Sequence, residues 1–306
     1  WHTLSLHDAL PILFFDHDKG KTHSSGKVIY TSRIIPVRGS WIDMEIDPKD
    51  VVYIRIDRRR KFPVTLLFRA FGYATEDILS YFYKKEKVYI ENSQIYREFK
   101  EEHLKGDRAT VDIENPKTGE VILKQGRMFT IRSIRQLKSA GIHRFPIRKD
   151  DLLGKVSAKT VISPDSGTPI LKPNEKIDEE TVQKLLASGI KELETIFVGG
   201  TTSSDCIRKT LLQDKVENKE ESLLEIYRRL RPGNPATPEV AQEFLDNLFF
   251  KSSYYDLSGV GRLKINLRLG IDTPLNVRTL RCEDILLTAK TLVTLRDTQE
   301  IGRAHV

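Results

Sequence analysis

One tryptophan and a run of charged residues are the side chains of this sequence best suited to recognising a ligand. Trp41 lies at the start of a predicted strand, and five charged residues, Asp57 to Lys61, follow the next strand. An indole ring can stack on a nucleobase while guanidinium groups hold phosphates, which is how single-stranded nucleic acid is bound. Each feature also has a structural interpretation, because a tryptophan after a turn is often part of a core and arginines often form a solvated strand end. The pattern alone leaves both interpretations open.

The elements that must position these residues are antiparallel strands. Residues 33–35 and 42–46 flank a turn that contains Pro36 and Gly39, and residues 51–56 alternate apolar and polar side chains after an Asp-Pro-Lys-Asp turn. Alternation with a period of two is typical of strands that bury one face. The sequence therefore predicts paired strands that bring Trp41 close to the charged run.

Three acidic residues of the same stretch have the chemistry of metal ligands but not the placement. Asp43, Glu45 and Asp47 alternate along a strand and therefore share one face. Catalysis by two metal ions needs carboxylates that cluster around both ions. The residues after Asp47 are proline and lysine at a turn, so a solvated acidic edge is the better interpretation. We expect no catalytic residue and no metal ligand in this chain.

Composition limits the class of protein. The 306 residues include 39% hydrophobic and 30% charged residues, which is enough for a core in two domains or in one domain with an insertion. No run approaches the roughly eighteen apolar residues of a membrane-spanning helix. The formal net charge of +7 favours a polyanionic partner. Cys206 and Cys282 lie far apart in sequence, which argues against a disulfide scaffold and fits a reducing cytoplasm.

The two ends of the sequence differ in character from the rest. Residues 3–12, TLSLHDALPI, and residues 301–306, IGRAHV, read like translated sequencing-adapter DNA. The alternative for the first is a signal peptide, but it lacks a basic start and carries His7 and Asp8 within its apolar part. We therefore expect residues 1–12 and 301–306 to be non-native.

An internal repeat occupies the middle of the chain. Two pairs of segments align at an offset of 48 residues: PKTGEVILK at 116–124 with PDSGTPILK at 164–172, and SAGI at 139–142 with ASGI at 187–190. The ungapped register predicts two copies of one unit, each a hairpin, a helix, a glycine stop and a strand. The predicted helices are 131–139 and 179–187, and the predicted strands 143–147 and 192–198. Two copies are too few for a solenoid, so a compact paired module with a docking or spacer role is expected.

Other segments predict helices and junctions. Apolar periodicity predicts helices at 75–82, 222–230, 238–250 and 282–295, and a turn followed by a short helix or strand at 256–266. The stretches 84–105 and 199–222 are polar without periodicity and predict junctions. Arg228, Arg229 and Arg231 give the predicted helix at 222–230 a basic C-terminal end. The helix dipole favours cations there in any protein, so a structural role is the first interpretation and contact with a polyanion the second. The predicted fold class is α+β.

Long phrases of the sequence resemble a known family. They occur in this order: FFD (14–16), DKGKTHSSGK (18–27), RIIPVRGSWIDMEIDPKDVVYIRIDRRRK (33–61), EIYR (225–228), RPG (231–233), EFLDNLFF (243–250) and YDLSGVGRLKIN (255–266). The series is similar to the lobe region of the β subunit of bacterial DNA-directed RNA polymerase over about residues 13 to 300. The resemblance implies a truncated fragment with a mixed lobe domain in two parts, 13–105 and 200–300. An external module at 106–199, containing the two repeats, is expected to be inserted between them.

The resemblance also implies a function and its partners. The chain would be part of a nucleotidyltransferase whose catalytic carboxylates and Mg²⁺ belong to the other large subunit, β′, so the fragment alone is expected to be inactive and to bind no cofactor. The implied partners are DNA, the β′ and α subunits and sigma factor, in the cytoplasm and away from membranes. In members of the family, the residues that match Trp41, Asp57 and Arg58 form part of a pocket for the unpaired non-template strand at the downstream edge of the transcription bubble.

Two alternatives stay open at this point. One is a free-standing basic nucleic-acid-binding module, for which both ends would have to be native. The other is a purely structural domain that binds protein and leaves DNA alone. A genomic sequence that continues into the β subunit on both sides excludes the first, and a salt-dependent DNA titration separates the second.

Overall fold

The chain divides into two compact units. The computed structural model describes residues 13–17, 28–104, 106–116, 118–198 and 204–298. The first unit combines Trp1–Ile78 with Gly199–Val306, and the second is Leu79–Val198. Within the described ranges, no helix is both long enough and apolar enough to span a membrane. The two ends predicted to be non-native and the DKGKTHSSGK segment lie outside the described residues.

The chain forms both strands and helices, which confirms the predicted mixed class. The strands are β1 Leu13–His17, β2 Tyr30–Ile34, β3 Ile42–Ile46, β4 Val52–Ile56, β5 Phe62–Pro63, β6 Lys85–Glu91, β7 Gln94–Glu98, β8 Ile113–Glu114, β9 Val121–Leu123, β10 Arg144–Ile147, β11 Val156–Ser157, β12 Val161–Ile162, β13 Pro169–Leu171 and β14 Glu192–Ile196. The helices are α1 Val64–Ala70, α2 Thr75–Phe82, α3 Glu101–Leu104, α4 Ile131–Ser139, α5 Glu179–Ala187, α6 Cys206–Gln213, α7 Lys219–Leu230, α8 Pro238–Phe249, α9 Ser258–Leu269 and α10 Cys282–Thr298.

The sheet of the first unit is an antiparallel meander in the order β1-β2-β3-β4-β5. In β3 and β4 every second side chain is buried, as the alternation predicts. The register pairs Ile42 with Ile56 at one end of this hairpin and Ile46 with Val52 at the other. The connecting turn is closed by Asp47, whose Oδ1 accepts the backbone N–H of Lys49 at 3.0 Å and of Val51 at 2.8 Å. One face of the meander therefore forms a core, and the hairpin has a fixed register.

Helices cover the core of the first unit. The contacts join α1 to α7, α7 to α8, and α10 to both β2 and α9. The predicted junction at 199–222 is wrong for residues 206–213, which form α6. Cys206 and Leu211 of α6 are buried, and the Thr210 hydroxyl accepts the Val52 N–H at 2.9 Å. Burial raises the pKa of the Cys206 thiol to about 11, so this cysteine acts as a small core residue.

The second unit contains a five-stranded antiparallel sheet in the order β10-β7-β6-β14-β11. The predicted junction at 84–105 is wrong here too, because β6 and β7 form a central hairpin of this sheet. Its charged residues alternate with buried apolar ones such as Val88 and Ile95, which pack with Leu137 of α4 and Leu185 of α5. The prediction that a module begins at residue 106 stays a prediction, while the compact unit starts at Leu79.

The elements of the second unit recur at the offset of 48 residues. Helices α4 and α5 occupy the two ranges predicted for them. The hairpins β8–β9 and β12–β13 carry the same irregularity in register at the same place. The Gly119 N–H donates to the Asn115 carbonyl and the Gly167 N–H to the Ser163 carbonyl, both at 2.9 Å. The two turns are thus alike in hydrogen bonding as well as in sequence.

Candidate nucleic-acid interface

Trp41 and Asp57 face each other at the open end of the β3–β4 hairpin. They lie one position beyond the last strand pair, Ile42 and Ile56. The Asp57 N–H donates to the Trp41 carbonyl at 3.0 Å, and the Trp41 N–H donates to Asp57 Oδ1 at 2.8 Å. The carboxylate of Asp57 therefore serves as the backbone partner of the tryptophan and fixes its position.

A strained turn directs Arg58 towards the tryptophan. Asp57 and Arg58 both have positive φ, 50° and 57°, and the Arg59 N–H donates to the Ile56 carbonyl at 3.0 Å. Positive φ at both central residues is the pattern of a type I′ turn, which normally selects glycine, asparagine or aspartate. An arginine in the second position is costly in conformational energy, and such strain concentrates at functional sites.

The guanidinium group of Arg58 lies over the indole ring, with Cζ 4.9 Å from the ring centroid. Trp41 is partly exposed, whereas Asp57 and Arg58 are exposed. A cation over an aromatic face at this distance is attracted by the ring quadrupole. The structure therefore brings together all three residues that the sequence singled out, in a partly open arrangement of a flat ring, a cation and a carboxylate.

The rest of the charged run has other contacts. Arg59 Nη1 donates to the Leu230 carbonyl at the end of α7. Lys61 Nζ lies 2.6 Å from Glu45 Oε1 and 4.5 Å from the Tyr53 ring centroid. Arg60 is exposed. The four cations thus differ in their contacts: Arg59 and Lys61 hold the hairpin to its surroundings, and Arg58 lies over the indole ring.

Packing between the turn before Trp41 and the segment before α9 supports the site. The Asp256 carbonyl accepts the N–H groups of Val37 at 2.9 Å and Arg38 at 3.1 Å. A Cβ added to Gly39 would lie 2.6 Å from the fully buried Tyr255 ring. No local pattern pairs a turn glycine with a distant tyrosine, so this support could not be predicted, although Gly39 and Tyr255 both lie in the phrases that carry the family resemblance.

The basic end of α7 contacts the charged run after β4 and is largely structural. Arg229 Nε is 2.7 Å from Glu225 Oε1, and its Nη1 donates to the Lys61 carbonyl at 3.4 Å. Arg231 lies over the Phe244 ring at 5.3 Å, while Arg228 is exposed. Two of the three arginines are therefore held by neighbours in the same unit.

The acidic strand face is occupied by ion pairs and turn contacts. Asp43 pairs with Arg33, and Glu45 with Lys61 and Arg55. Among the described residues, no group of three or more histidine, cysteine, aspartate or glutamate side chains is placed to hold a metal ion. Asp43 and Glu45 thus serve ion pairs, and Asp47 serves the turn.

The second unit contains a buried charged cluster in which a carboxyl group has a shifted pKa. Glu86 is almost fully buried; it pairs with Arg97 and lies 2.6 Å from Lys155 Nζ. Burial alone would raise the pKa of Glu86, but the two cations lower it overall. Arg97 also lies 2.9 Å from Asp107 Oδ2. Each of these charged side chains has a partner of opposite charge within the second unit, so we interpret the cluster as structural.

Comparisons with known proteins agree with the motifs. The sequence model of the family described as RNA polymerase Rpb2, domain 2, matches residues 11–142 and 202–300. The DNA-directed RNA polymerase subunit beta of Desulfatibacillum aliphaticivorans is 57% identical over 287 residues, covering 94% of this chain and 21% of that protein. The same subunit of Desulforapulum autotrophicum is 60% identical over 287 residues, covering 94% of this chain and 20% of that protein.

More distant relatives keep the same coverage. The corresponding subunit of Myxococcus xanthus is 46% identical over 302 residues, covering 94% of this chain and 21% of that protein. The chain thus spans about a fifth of the length of the curated relatives that it matches. Since the family model covers most of the sequence and these relatives agree along nearly all of it, the chain belongs to the RNA polymerase Rpb2 domain 2 family and matches one segment of the bacterial β subunit.

Proposed function

We propose that this chain is a non-catalytic, DNA-holding part of the β subunit of DNA-directed RNA polymerase. In this proposal Trp41, Asp57 and Arg58 contact the unpaired non-template strand at the downstream edge of the transcription bubble. The observation that carries it is the placement of the Arg58 guanidinium 4.9 Å from the centre of a partly exposed indole. A buried core tryptophan would need no arginine in a strained turn beside it.

Each residue has a distinct role in the proposed contact. The indole provides a flat apolar face on which any base can stack. Arg58 lies over the ring and adds positive charge there, so that a phosphate of the same nucleotide can approach it. Asp57 uses Oδ1 to hold the Trp41 backbone, and Oδ2 can accept a hydrogen bond from an amino group on a base edge. Stacking tolerates every base, whereas the carboxylate favours bases that carry a donor.

The proposal assigns the chemistry to other parts of the enzyme. Asp43 and Glu45 are engaged in ion pairs and Asp47 in turn hydrogen bonds, so we assign the catalytic carboxylates and Mg²⁺ to the β′ subunit. The α subunits and sigma factor complete the proposed assembly, which places the chain in the cytoplasm. The chain's own contribution is binding and orientation of DNA.

We also propose that residues 106–199 form an external module inserted between two parts of the lobe. Support comes from the repeated hairpin, helix and strand at an offset of 48 residues. The family match leaves out residues 143–201, which cover the second repeat, while residues 106–142 with most of the first repeat lie inside the match. Duplication of one unit would give such a module.

A DNA titration tests the proposed contact. Labelled single-stranded DNA is titrated with the chain at several salt concentrations, and its affinity is expected to fall as salt rises. Trp41→Ala is expected to weaken binding by about 1–3 kcal/mol, the range for loss of one stacking aromatic. The matched control is Tyr96→Ala, because Arg144 lies over Tyr96 at 5.3 Å in the second unit, and this variant should bind as the unmodified chain does.

Two arginine variants separate binding from stability. Arg58→Ala is expected to weaken binding and to reduce the salt dependence by about 0.7 in the slope if it neutralises one phosphate. Arg59→Ala removes the donor to the Leu230 carbonyl and is expected to lower the melting temperature with little change in slope. If Trp41→Ala collapses the fold while DNA affinity of the surviving folded protein is unchanged, the tryptophan is a core residue and the proposal is wrong. Absence of salt-dependent DNA binding would favour a purely structural domain.

A further inference from the structure

The two repeats of the second unit share their elements but not their surfaces. Helix α4 carries Arg132, Arg135 and Lys138 and no acid, whereas α5 carries Glu179, Glu180 and one lysine. At the offset of 48 residues, Arg132 corresponds to Glu180 and Arg135 to Gln183. The second repeat therefore shows that the fold does not require basic residues at these positions. The basic face of α4 is a property of the first repeat alone.

The first repeat also exposes large apolar side chains at the start of α4, where the second repeat has charged ones. Ile131 is 65% exposed and Met128 is 46% exposed. Their counterparts in the second repeat are the charged residues Glu179 and Lys176. Two large aliphatic side chains thus lie in solvent three residues apart, where the equivalent positions show that charged side chains fit the fold.

The start of α4 also departs from the rules of helix stability. The positive end of the helix dipole favours acids in the first turn, and α5 follows this rule with Glu179 and Glu180 after an Asp178 cap. Helix α4 begins with Ile131 and Arg132 and has no acid in its first turn. Departures that gain nothing for stability are characteristic of functional surfaces.

We propose that the α4 surface, defined as Met128, Ile131, Arg132 and Arg135, docks an acidic segment of another protein. Ile131 and Arg135 are four residues apart and lie on one face of the helix. Met128 and Ile131 would hold an apolar anchor side chain, while the two arginines attract carboxylates around it. The surface offers aliphatic side chains and no aromatic ring for base stacking, so its chemistry favours a polypeptide over single-stranded nucleic acid.

The test uses a defined probe and the full chain. The probe is a fluorescent peptide of about 16 residues, long enough for a short amphipathic helix, with leucines on one face and glutamates on the other. A peptide of the same composition in shuffled order measures non-specific charge attraction. Fluorescence anisotropy should show binding of the amphipathic peptide, weaker binding of the shuffled one, and loss of affinity with rising salt.

The decisive variant copies the second repeat into the first. Met128→Lys with Ile131→Glu introduces the residues that stand at positions 176 and 179, so the fold is expected to tolerate them. Binding should weaken at least about tenfold, as for loss of hot-spot anchors. The matched control is Ile162→Glu, which removes a side chain that is 56% exposed in the second repeat and copies Glu114 from the first. It should leave binding unchanged.

Several results would overturn this inference. They are an absence of peptide binding, equal binding of the shuffled peptide, and equal binding by the grafted variant with an unchanged melting temperature. A single-stranded oligonucleotide that binds and loses affinity on grafting would assign the surface to nucleic acid instead. If the grafted variant fails to fold, Arg132→Glu with Arg135→Gln, also copied from the second repeat, provides the same comparison.

Discussion

At the scale of single residues, two charged arrangements serve different ends: an exposed pair in a strained turn and a buried cluster. In the first, Asp57 and Arg58 have left-handed backbone conformations and are exposed, so the strained turn presents charged side chains to solvent. In the second, Glu86 is almost fully buried and paired on both sides. The first pattern suits a binding site and the second a structural pair, since burial leaves no room for a ligand at the carboxylate.

The Glu86 cluster makes a prediction about pH. Because the pKa of Glu86 is lowered in the folded protein, its contribution to stability is present above the ordinary pKa of 4.5 and is lost as pH falls through the folded value. Glu86→Gln leaves two cations short of their acceptor and should reduce the free energy of unfolding by about 3–5 kcal/mol at neutral pH.

Denaturant unfolding at a series of pH values measures this effect. The difference between the unmodified chain and Glu86→Gln should shrink below pH 4.5, the ordinary pKa of the group. Glu192→Gln is the control, because its 3.8 Å pair with Lys87 is largely exposed and should be worth less than about 1 kcal/mol. A constant difference across this pH range would show that the ionised carboxylate is not what stabilises the sheet.

At the scale of elements, periodicity and sequence repeats predicted most of what the structure contains. Helices α4 and α5, the β3–β4 hairpin and α8 all follow from local patterns. The elements that were not predicted include β6 and β7, in which charged residues obscure the period of two, and α6, whose buried face is short and flanked by polar residues. Strands β6 and β7 pair with each other, but their outer neighbours β14 and β10 are distant in sequence, as is the β4 partner of α6. Tertiary contacts decide such segments.

The equivalence of the repeats gives a prediction for their helix ends. Gly141 and Gly189 follow α4 and α5 with φ of 72° and 67°, a backbone that side chains disfavour. Gly141→Ala and Gly189→Ala should each lower the free energy of unfolding by about 1 kcal/mol. Thermal or urea unfolding of each variant measures this cost.

The control for this pair is Gly259→Ala in α9. An added Cβ there would contact only the Leu275 carbonyl, at 3.9 Å, and alanine has the better helix propensity. This variant should therefore be neutral or slightly stabilising. Costs that differ by more than about 1 kcal/mol between Gly141→Ala and Gly189→Ala would contradict equivalent helix ends.

At the scale of the whole molecule, the sequence predicts the family, but it predicts only part of the candidate site. Long phrases identified the family because many residues agree in order. Proximity of Trp41 to Asp57 followed from strand pairing, whereas the position of Arg58 over the ring depends on positive φ at two residues that are not glycine. The supports from Leu230 and Tyr255 depend on the packing of distant segments and have no local signal.

The central claim, that Trp41 stacks on an unpaired base, is tested most directly by its own fluorescence. The chain has two tryptophans, so Trp1→Phe leaves Trp41 as the emitter. Single-stranded DNA should quench this emission with the same affinity and salt dependence as binding measured by anisotropy, and an abasic oligonucleotide of equal length should bind with little quenching. Binding without quenching, or equal quenching by the abasic oligonucleotide, would contradict stacking on Trp41.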